Sequence, residues 1–260
     1  MISNISQQDL HIHTRFSLCG IMESQPDLYY PWELSEFKKK IPVLGVSDHF
    51  HFWTDRKDFE GEIAEIKRHD PDILLGVEVD FCKAIEDIIL PKDLWSKFDY
   101  ILGSPHNVST TFVRHPARPE QYLDVVKTVG LKKFISLNVQ DHISLCELPH
   151  ITGIAHPLIV PVHLGLVDKI PHDDIAYILQ TARDTGTCIE LHRPTIERLK
   201  KAGNMEFIDN LVRTGIEIGT RFTFGSDAHN KADIGMPAWI EEYLLGLGLG
   251  PEHLFIPRKK

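Results

Sequence analysis

Three things are scarce or missing in this sequence, and each absence excludes a class of protein. The 260 residues hold four scattered cysteines without a Cys-x-x-Cys pair: Cys19, Cys82, Cys146 and Cys188. A disulfide framework is not expected at this length, so we predict a reducing compartment and a cytoplasmic protein. No segment approaches eighteen consecutive apolar residues, and no charged region followed by an apolar one opens the chain. Neither a membrane span nor a signal peptide is therefore expected.

Basic residues are also in deficit. The chain has 28 Lys and Arg against 37 Asp and Glu, a formal net charge of −9, and no long basic run. Sequence-independent binding to nucleic acid needs clustered Lys and Arg, so the balance weighs against such a partner. Without a Gly/Ser linker, a low-complexity tract or a fixed-period repeat, residues 1–260 are expected to form one domain. This length is ordinary for a single α/β barrel, and the oligomeric state is left open.

The pattern of strand, loop and helix repeats about seven times along the chain. The predicted strands are Gln8 to Ile12, Val43 to Ser47, Ile73 to Val77, Tyr100 to Ser104, Ile151 to Ala155, Cys188 to Leu191 and Arg221 to Gly225. The predicted helices are Trp32 to Lys40, Lys57 to Arg68, Arg118 to Thr128, Lys132 to Leu145, Asp173 to Thr185, Met205 to Arg213 and Pro237 to Leu245. Continuous apolar strands between amphipathic helices imply a parallel sheet covered on both faces.

Histidine is the abundant residue that needs an explanation, because several of the 15 histidines end a predicted strand. His11 and His13 lie two apart on the first strand, where alternate side chains leave the same face. The polar residues at strand ends are His11, His13, His49, Glu78, His106, His156, His192, Asp227 and His229. Barrel enzymes build their sites at the carboxyl ends of the strands, whereas an open sheet uses one switch point. Contributions from at least five strands therefore favour a closed barrel.

A metal cluster explains this collection of polar residues. Taken alone, any one of these histidines is readily an ordinary buried residue with a hydrogen-bond partner. Six imidazoles and two carboxylates gathered at one barrel mouth would be costly to desolvate without a cation. Nitrogen and carboxylate donors suit zinc, manganese or iron better than calcium or magnesium.

Six short motifs, in this order, resemble those of the PHP (polymerase and histidinol phosphatase) family. They are His-x-His, Ser-Asp-His, Gly-Val-Glu, Gly-Ser-x-His, Gly-x-x-His-Pro and Gly-Ser-Asp-Ala-His. The resemblance spans nearly the whole chain and implies an α/β fold, a distorted (β/α)7 barrel like a TIM barrel, with a trinuclear metal centre. It implies three ligand sets: His11, His13, Glu78 and Asp227 for one metal, Glu78, His106 and His156 for a second, and His49 with His229 for a third.

The sequence departs from the family's pattern at Cys19, where many members supply a further histidine for the third metal. A thiolate can ligate zinc, so Cys19 is one candidate ligand. The alternative is a buried loop cysteine beside a two-metal centre, and His51 is a further substitute. Two or three divalent ions (Zn, Mn or Fe) are therefore expected.

The resemblance implies a metal-dependent phosphoesterase in which a metal-activated hydroxide attacks a small phosphomonoester. Glu78 and Asp227 would take part in catalysis through the metals. His192 ends a strand but is surplus to the family's set, so it is a candidate general acid or substrate contact. Cations should complete the phosphate pocket. The candidates, each of which could equally be a surface arginine, are Arg15, Arg193 and Arg118.

The chain length and the Gly-Ser-x-His segment resemble the stand-alone histidinol phosphatases, which makes histidinol phosphate the specific substrate to expect. Fold and metals do not specify a substrate, and three alternatives stay open. An amidohydrolase also begins with His-x-His and has a late Asp, but Glu78 and the pair Asp227 and His229 match the phosphoesterase pattern better. A nucleotide phosphodiesterase is a second alternative. A non-catalytic metal-binding PHP module is the third, and the replacement at Cys19 is its only support.

Overall fold

A computed structural model describes residues 2–17, 29–51, 53–106 and 119–260, with side chains from residue 122 onward in the last range. The strands in this part of the chain are β1 (Gln8–Asp9), β2 (Val43–Val46), β3 (His49–Phe50), β4 (Leu74–Cys82), β5 (Asp87–Ile88), β6 (Tyr100–Ser104), β7 (Gly153–Ile154), β8 (Cys188–His192) and β9 (Phe222–Gly225). The α-helices there are α1 (Arg56–His69), α2 (Pro119–Val129), α3 (Leu131–Glu147), α4 (Ile159–His163), α5 (His172–Thr185), α6 (Arg193–Ala202), α7 (Glu206–Ile218) and α8 (Ala238–Gly246).

Seven parallel strands follow one another around a barrel in the order β1-β2-β4-β6-β7-β8-β9. The last strand returns to the first, because the Leu10 N–H donates to the Phe224 carbonyl at 3.0 Å. Further along the same seam, the Asp227 N–H donates to the His11 carbonyl at 2.8 Å. The sheet is therefore nearly closed, and the predicted (β/α)7 barrel is confirmed. Among the described residues, no helix is long and apolar enough to cross a membrane.

Two buried polar side chains of β1 reinforce the seam. The Gln8 amide oxygen accepts from the Phe224 N–H at 2.9 Å. The two Asp9 carboxylate oxygens accept from the Ser226 N–H at 3.0 Å and from the Gly235 N–H at 2.8 Å. Burial raises the pKa of Asp9 to about 6, although these hydrogen bonds act against it. A strand of two residues is thus held to the barrel by side chains as well as by its backbone.

The barrel interior is filled by the Tyr100 ring. Tyr100 packs with Leu10, Leu102 and Ala155 in a small apolar cluster separate from the main core. Its hydroxyl lies 2.6 Å from the Leu10 carbonyl oxygen, where it donates a hydrogen bond across the barrel. The ring also lies directly against the α-carbon of Gly76, where any side chain would overlap it.

The structure departs from the predicted elements in several places. Pro31–Lys39 is a 3₁₀ helix, where an α-helix was expected. Strand β4 continues past Glu78 to Cys82, because β3 and β5 pair with its second half, so Glu78 lies mid-strand. Helix α6 was not predicted at all. It begins directly after His192, with Pro194 in its first turn, a position where the missing N–H costs little.

The contact between Gly76 and Tyr100 predicts a loss of stability in Gly76→Ala. An added methyl group must displace the ring in a packed interior, which should lower the free energy of unfolding by about 1–3 kcal/mol. Gly61→Ala is the control, since nothing lies within 4 Å of a β-carbon there on α1. It should stabilise the protein by about 0.5–1 kcal/mol through helix propensity. Urea unfolding measures the free energy of unfolding of both variants. Equal changes in the two variants would contradict the packing of Tyr100 against Gly76.

Candidate metal centre

Glu78 is the centre of a ring of imidazoles at one end of the barrel, and its side chain is buried. Its two oxygens face five histidines. Oε2 lies 3.0 Å from His11 Nε2, 3.4 Å from His13 Nε2 and 3.2 Å from His49 Nδ1. Oε1 lies 2.8 Å from His156 Nε2 and 3.8 Å from His106 Nε2. A single carboxylate therefore joins residues from four separate segments of the chain.

Asp227 forms the other acidic wall of this cluster. Its Oδ1 lies 2.9 Å from His13 Nε2, and its Oδ2 lies 3.1 Å from His192 Nε2. Asp227 has a φ of 52° and His156 a φ of 29°. Both are in the left-handed region that residues with a β-carbon rarely adopt. The backbone accepts this strain at two points where the chain turns a side chain into the cluster.

The described residues form three overlapping groups of donors that could hold a metal ion. Within each group the ligand atoms all lie within 4.8 Å of one another. The groups are His11, His13 and Asp227; His11, Glu78 and His156; and His13, His49 and Glu78. The structure thus brings the predicted ligands of the first two metals together, with His106 next to His156.

The surroundings of the third predicted metal differ from the expected set. His49 joins His13 and Glu78 in one group, whereas His229 packs its ring against His13 at a centroid distance of 4.5 Å. His51 stacks on His49, also at 4.5 Å, within reach of the same region. Cys19 lies outside the described residues, so its role as a ligand stays a prediction.

The outer nitrogens of three of the imidazoles have hydrogen-bond partners. His11 Nδ1 lies 2.7 Å from Glu190 Oε1, and His106 Nδ1 lies 2.8 Å from Asp80 Oδ1. His13 Nδ1 lies 3.1 Å from the Ser17 hydroxyl. Such partners fix the ring orientation of metal-binding histidines, and they leave Nε2 turned toward the metal. The same arrangement is present here for three of the predicted ligands.

The inner nitrogens approach one another so closely that a proton or a metal ion must lie between them. His11 Nε2 lies 3.0 Å from His13 Nε2, and His106 Nε2 lies 3.2 Å from His156 Nε2. Two neutral imidazoles facing each other with bare nitrogens repel, and a carboxylate beside them adds to the repulsion. A proton or a divalent metal removes it. The nitrogen and carboxylate donor set fits zinc, manganese or iron.

The pKa shifts are divided within the cluster: burial lowers the pKa of His156 to about 4, whereas the pKa of His13 is raised. Burial alone would lower the pKa of His13, but Asp227 and Glu78 outweigh it and raise the pKa to about 9. Burial alone would raise the pKa of Glu78, but His49 and His11 hold it well below its usual range. The cluster therefore keeps its acids ionised and favours a cation beside them.

Two carboxylates at the site were missed by the sequence reasoning: Glu190 and Asp80. Both lie on strands, Glu190 on β8 and Asp80 on β4, and neither belongs to a motif used above. Strand alternation would have found them, because Glu190 lies two residues before His192 and Asp80 lies two residues after Glu78. That is the same spacing that singled out His11 and His13.

Two of the predicted substrate-binding arginines, Arg15 and Arg193, contact other groups of the chain. The Arg15 guanidinium lies over the Tyr30 ring at 4.1 Å. Arg193 Nε donates to Glu197 Oε1 at 2.8 Å, and its Nη1 donates to the Asp233 carbonyl. Arg118 lies outside the described residues. Binding of substrate by these three arginines stays a prediction.

No model of a known protein family matches the chain. A probable phosphatase of Thermoanaerobacter sp. (strain X514) is 24% identical over 210 residues, which is 76% of this chain and 71% of that protein. Histidinol phosphate phosphatase of Lactococcus lactis, solved with zinc, L-histidinol and phosphate, superposes with a TM-score of 0.54 and 11% identity, over 92% of this chain and 90% of that one.

A chain of an archaeal ribonuclease P, solved with mature tRNA, superposes with a TM-score of 0.51 and 16% identity, over 92% of this chain and 82% of that one. At such identities the two superpositions support the fold alone. The fold is a seven-stranded α/β barrel, and the chain is a hydrolase. Within that class the chain is a phosphatase, as the name of its curated relative supports and as the sequence predicted.

Glu78→Gln is expected to weaken metal binding, because it removes the negative charge that faces five imidazoles. We expect zinc affinity to fall by more than about a hundredfold, since even outer partners of metal ligands change affinity by about 10–100-fold. Chelator-buffered zinc titration with elemental analysis measures this. Asp99→Asn is the matched control, because Asp99 is a buried carboxylate that accepts from the Leu75 N–H near the start of β4. Equal zinc affinity in both variants would contradict the assignment.

Proposed function

We propose that this phosphatase is a metal-dependent phosphomonoesterase acting on a small phosphorylated substrate. One observation carries the proposal: the buried carboxylate of Glu78 faces five imidazoles, with Asp227 closing the same cluster. The chain holds these nitrogen and carboxylate donors close together in a buried cluster. Such a set is the environment that divalent transition metals occupy in hydrolases.

The three donor groups name the residues that would hold the ions. Glu78 belongs to two groups, and its two oxygens would let it connect neighbouring ions, whereas His11 would offer Nε2 to one ion. When bound, divalent ions at such a centre lower the pKa of a water molecule and neutralise the charge on the phosphoryl oxygens. His106 and His229 adjoin these groups, and we assign them to the same centre.

The exposure of the side chains indicates where the substrate enters. The side chains of His11 and Glu78 are at most 1% exposed, whereas those of Asp227 and His229 are 25% and 20% exposed. A phosphate group therefore approaches along the edge formed by Asp227 and His229. Burial of the remaining donors excludes bulk water from the interior of the cluster, which strengthens every charge interaction within it.

His192 is placed to act beside Asp227 at this edge. Its Nε2 lies 3.1 Å from Asp227 Oδ2, and its Nδ1 lies 2.8 Å from the Thr195 hydroxyl. The two hydrogen bonds hold the ring in one orientation next to the most exposed acid of the cluster. In this proposal His192 orients Asp227 and contacts the bound substrate.

A generic phosphomonoesterase assay tests the proposal. Protein loaded with zinc, manganese or iron should release phosphate from p-nitrophenyl phosphate, and chelation should abolish the activity. Asp227→Asn should lower kcat/KM by roughly a hundredfold or more, because it removes a charged member of the centre rather than an outer partner. Asp99→Asn should leave kcat/KM near the value of the unaltered protein. Folded, metal-loaded protein without activity on a broad panel of phosphate esters would favour a non-catalytic binding module instead.

Histidinol phosphate is the specific substrate we propose, on the resemblance of the motifs to stand-alone histidinol phosphatases. The structural likeness to an enzyme solved with L-histidinol and phosphate supports this choice. We expect kcat/KM for histidinol phosphate to exceed that for p-nitrophenyl phosphate by at least about tenfold, or about 1.4 kcal/mol of transition-state binding. If the enzyme cleaves the generic ester but not histidinol phosphate, the substrate assignment is wrong and the phosphomonoesterase assignment stands.

A further inference from the structure

We propose that Glu190 is a positioning residue, which keeps a proton on His11 Nδ1 and thereby keeps His11 Nε2 free to bind metal. The inference rests on the proposed metal-dependent function of the same centre. It adds a residue that no motif identified and that belongs to none of the three donor groups.

Glu190 is buried on β8, and each of its two oxygens has a different donor. Oε1 lies 2.7 Å from His11 Nδ1, and Oε2 accepts from the backbone N–H of His156. Metal-binding histidines almost always donate their other ring N–H to a carboxylate or carbonyl, so the His11 nitrogen that faces Glu190 carries the proton.

The consequence reaches the opposite side of the His11 ring. With a proton held on Nδ1, Nε2 is the nitrogen available to a metal. It lies 3.0 Å from both His13 Nε2 and Glu78 Oε2, inside two of the donor groups. Glu190 also holds the backbone of His156, whose φ of 29° needs support from its neighbours. One carboxylate thus positions ligands on two sides of the centre.

The carboxylate has little room to move. The α-carbon of Gly225 on β9 lies directly against it, and a side chain at that position would overlap both Glu190 Oε1 and the β-carbon of His11. Glu190 is therefore enclosed between β8, β9 and the segment that follows β1. A residue packed in this way can fix the orientation of its partner, because close packing leaves the carboxylate little room to turn.

The Glu190→Gln variant distinguishes a positioning role of Glu190 from a packing role. The His156 N–H can only donate, so the amide oxygen of glutamine takes the place of Oε2 and its NH₂ group faces His11. His11 Nδ1 must then accept, and the proton moves to Nε2, where it competes with the metal. Glutamine has nearly the same shape as glutamate, so the effect on packing is small.

Two measurements on each variant test the inference. In zinc-loaded, ¹⁵N-labelled protein, long-range imidazole spectra should show a slowly exchanging proton on His11 Nδ1, identified by its loss in His11→Gln. Glu190→Gln should lack this signal, and its zinc affinity should be about 10–100-fold lower. Glu190→Asp, which keeps both acceptor oxygens and the charge, should retain the Nδ1 proton and lose less affinity than Glu190→Gln.

Asp99→Asn serves as the control for loss of a buried carboxylate, because both oxygens of Asp99 also accept hydrogen bonds, in its case from the backbone N–H groups of Leu75 and Lys260. It should lower the unfolding midpoint without changing zinc affinity. An unchanged Nδ1 signal with zinc affinity within about twofold in folded Glu190→Gln would overturn the inference. Equal losses in the Gln and Asp variants would overturn it as well. Failure of the unaltered chain to bind zinc would instead contradict the proposed function.

Discussion

The hydrogen bonds that close the barrel between β1 and β9 are the constraint on which the site depends. They join residues more than two hundred positions apart, with the Asp227 N–H donating to the His11 carbonyl and the Leu10 N–H to the Phe224 carbonyl. Without this closure, His11 and His13 would not meet Asp227. The buried Gln8 and Asp9 side chains satisfy further backbone groups along the same seam, so closure and site assembly are one structural event.

The second constraint is electrostatic. The carboxylates of Glu78 and Asp227 favour positive charge among the imidazoles, and they raise the pKa of His13 to about 9 despite its burial. Packing of the surrounding barrel holds these groups together against their mutual repulsion, as natural proteins often do at functional sites. The backbone at His156 and Asp227 is strained for the same reason. Both residues adopt a positive φ, which turns their side chains into the cluster.

Much of this architecture was predictable because it is encoded locally. The apolar strands alternate with amphipathic helices, and all seven predicted barrel strands are present among the described residues, although β1 and β7 are shorter than expected. Glu78 was placed at the end of a strand, yet β4 runs on to Cys82, because pairing with β3 and β5 extends it. Pairing between distant segments is invisible to a local pattern, as is the role of Glu190, whose partners come from the first and fifth strands of the barrel.

The sequence by itself determined which chemical groups are available and on which strands they lie, because strand alternation and motif order are local properties. It therefore predicted the barrel, the histidine and acid cluster, and the class of hydrolase. Only the tertiary structure decided which nitrogen faces which oxygen, that Glu190 and Asp80 support the imidazoles, and that Asp227 and His229 form the open edge. These relations depend on distances across the barrel, which closure of the sheet sets.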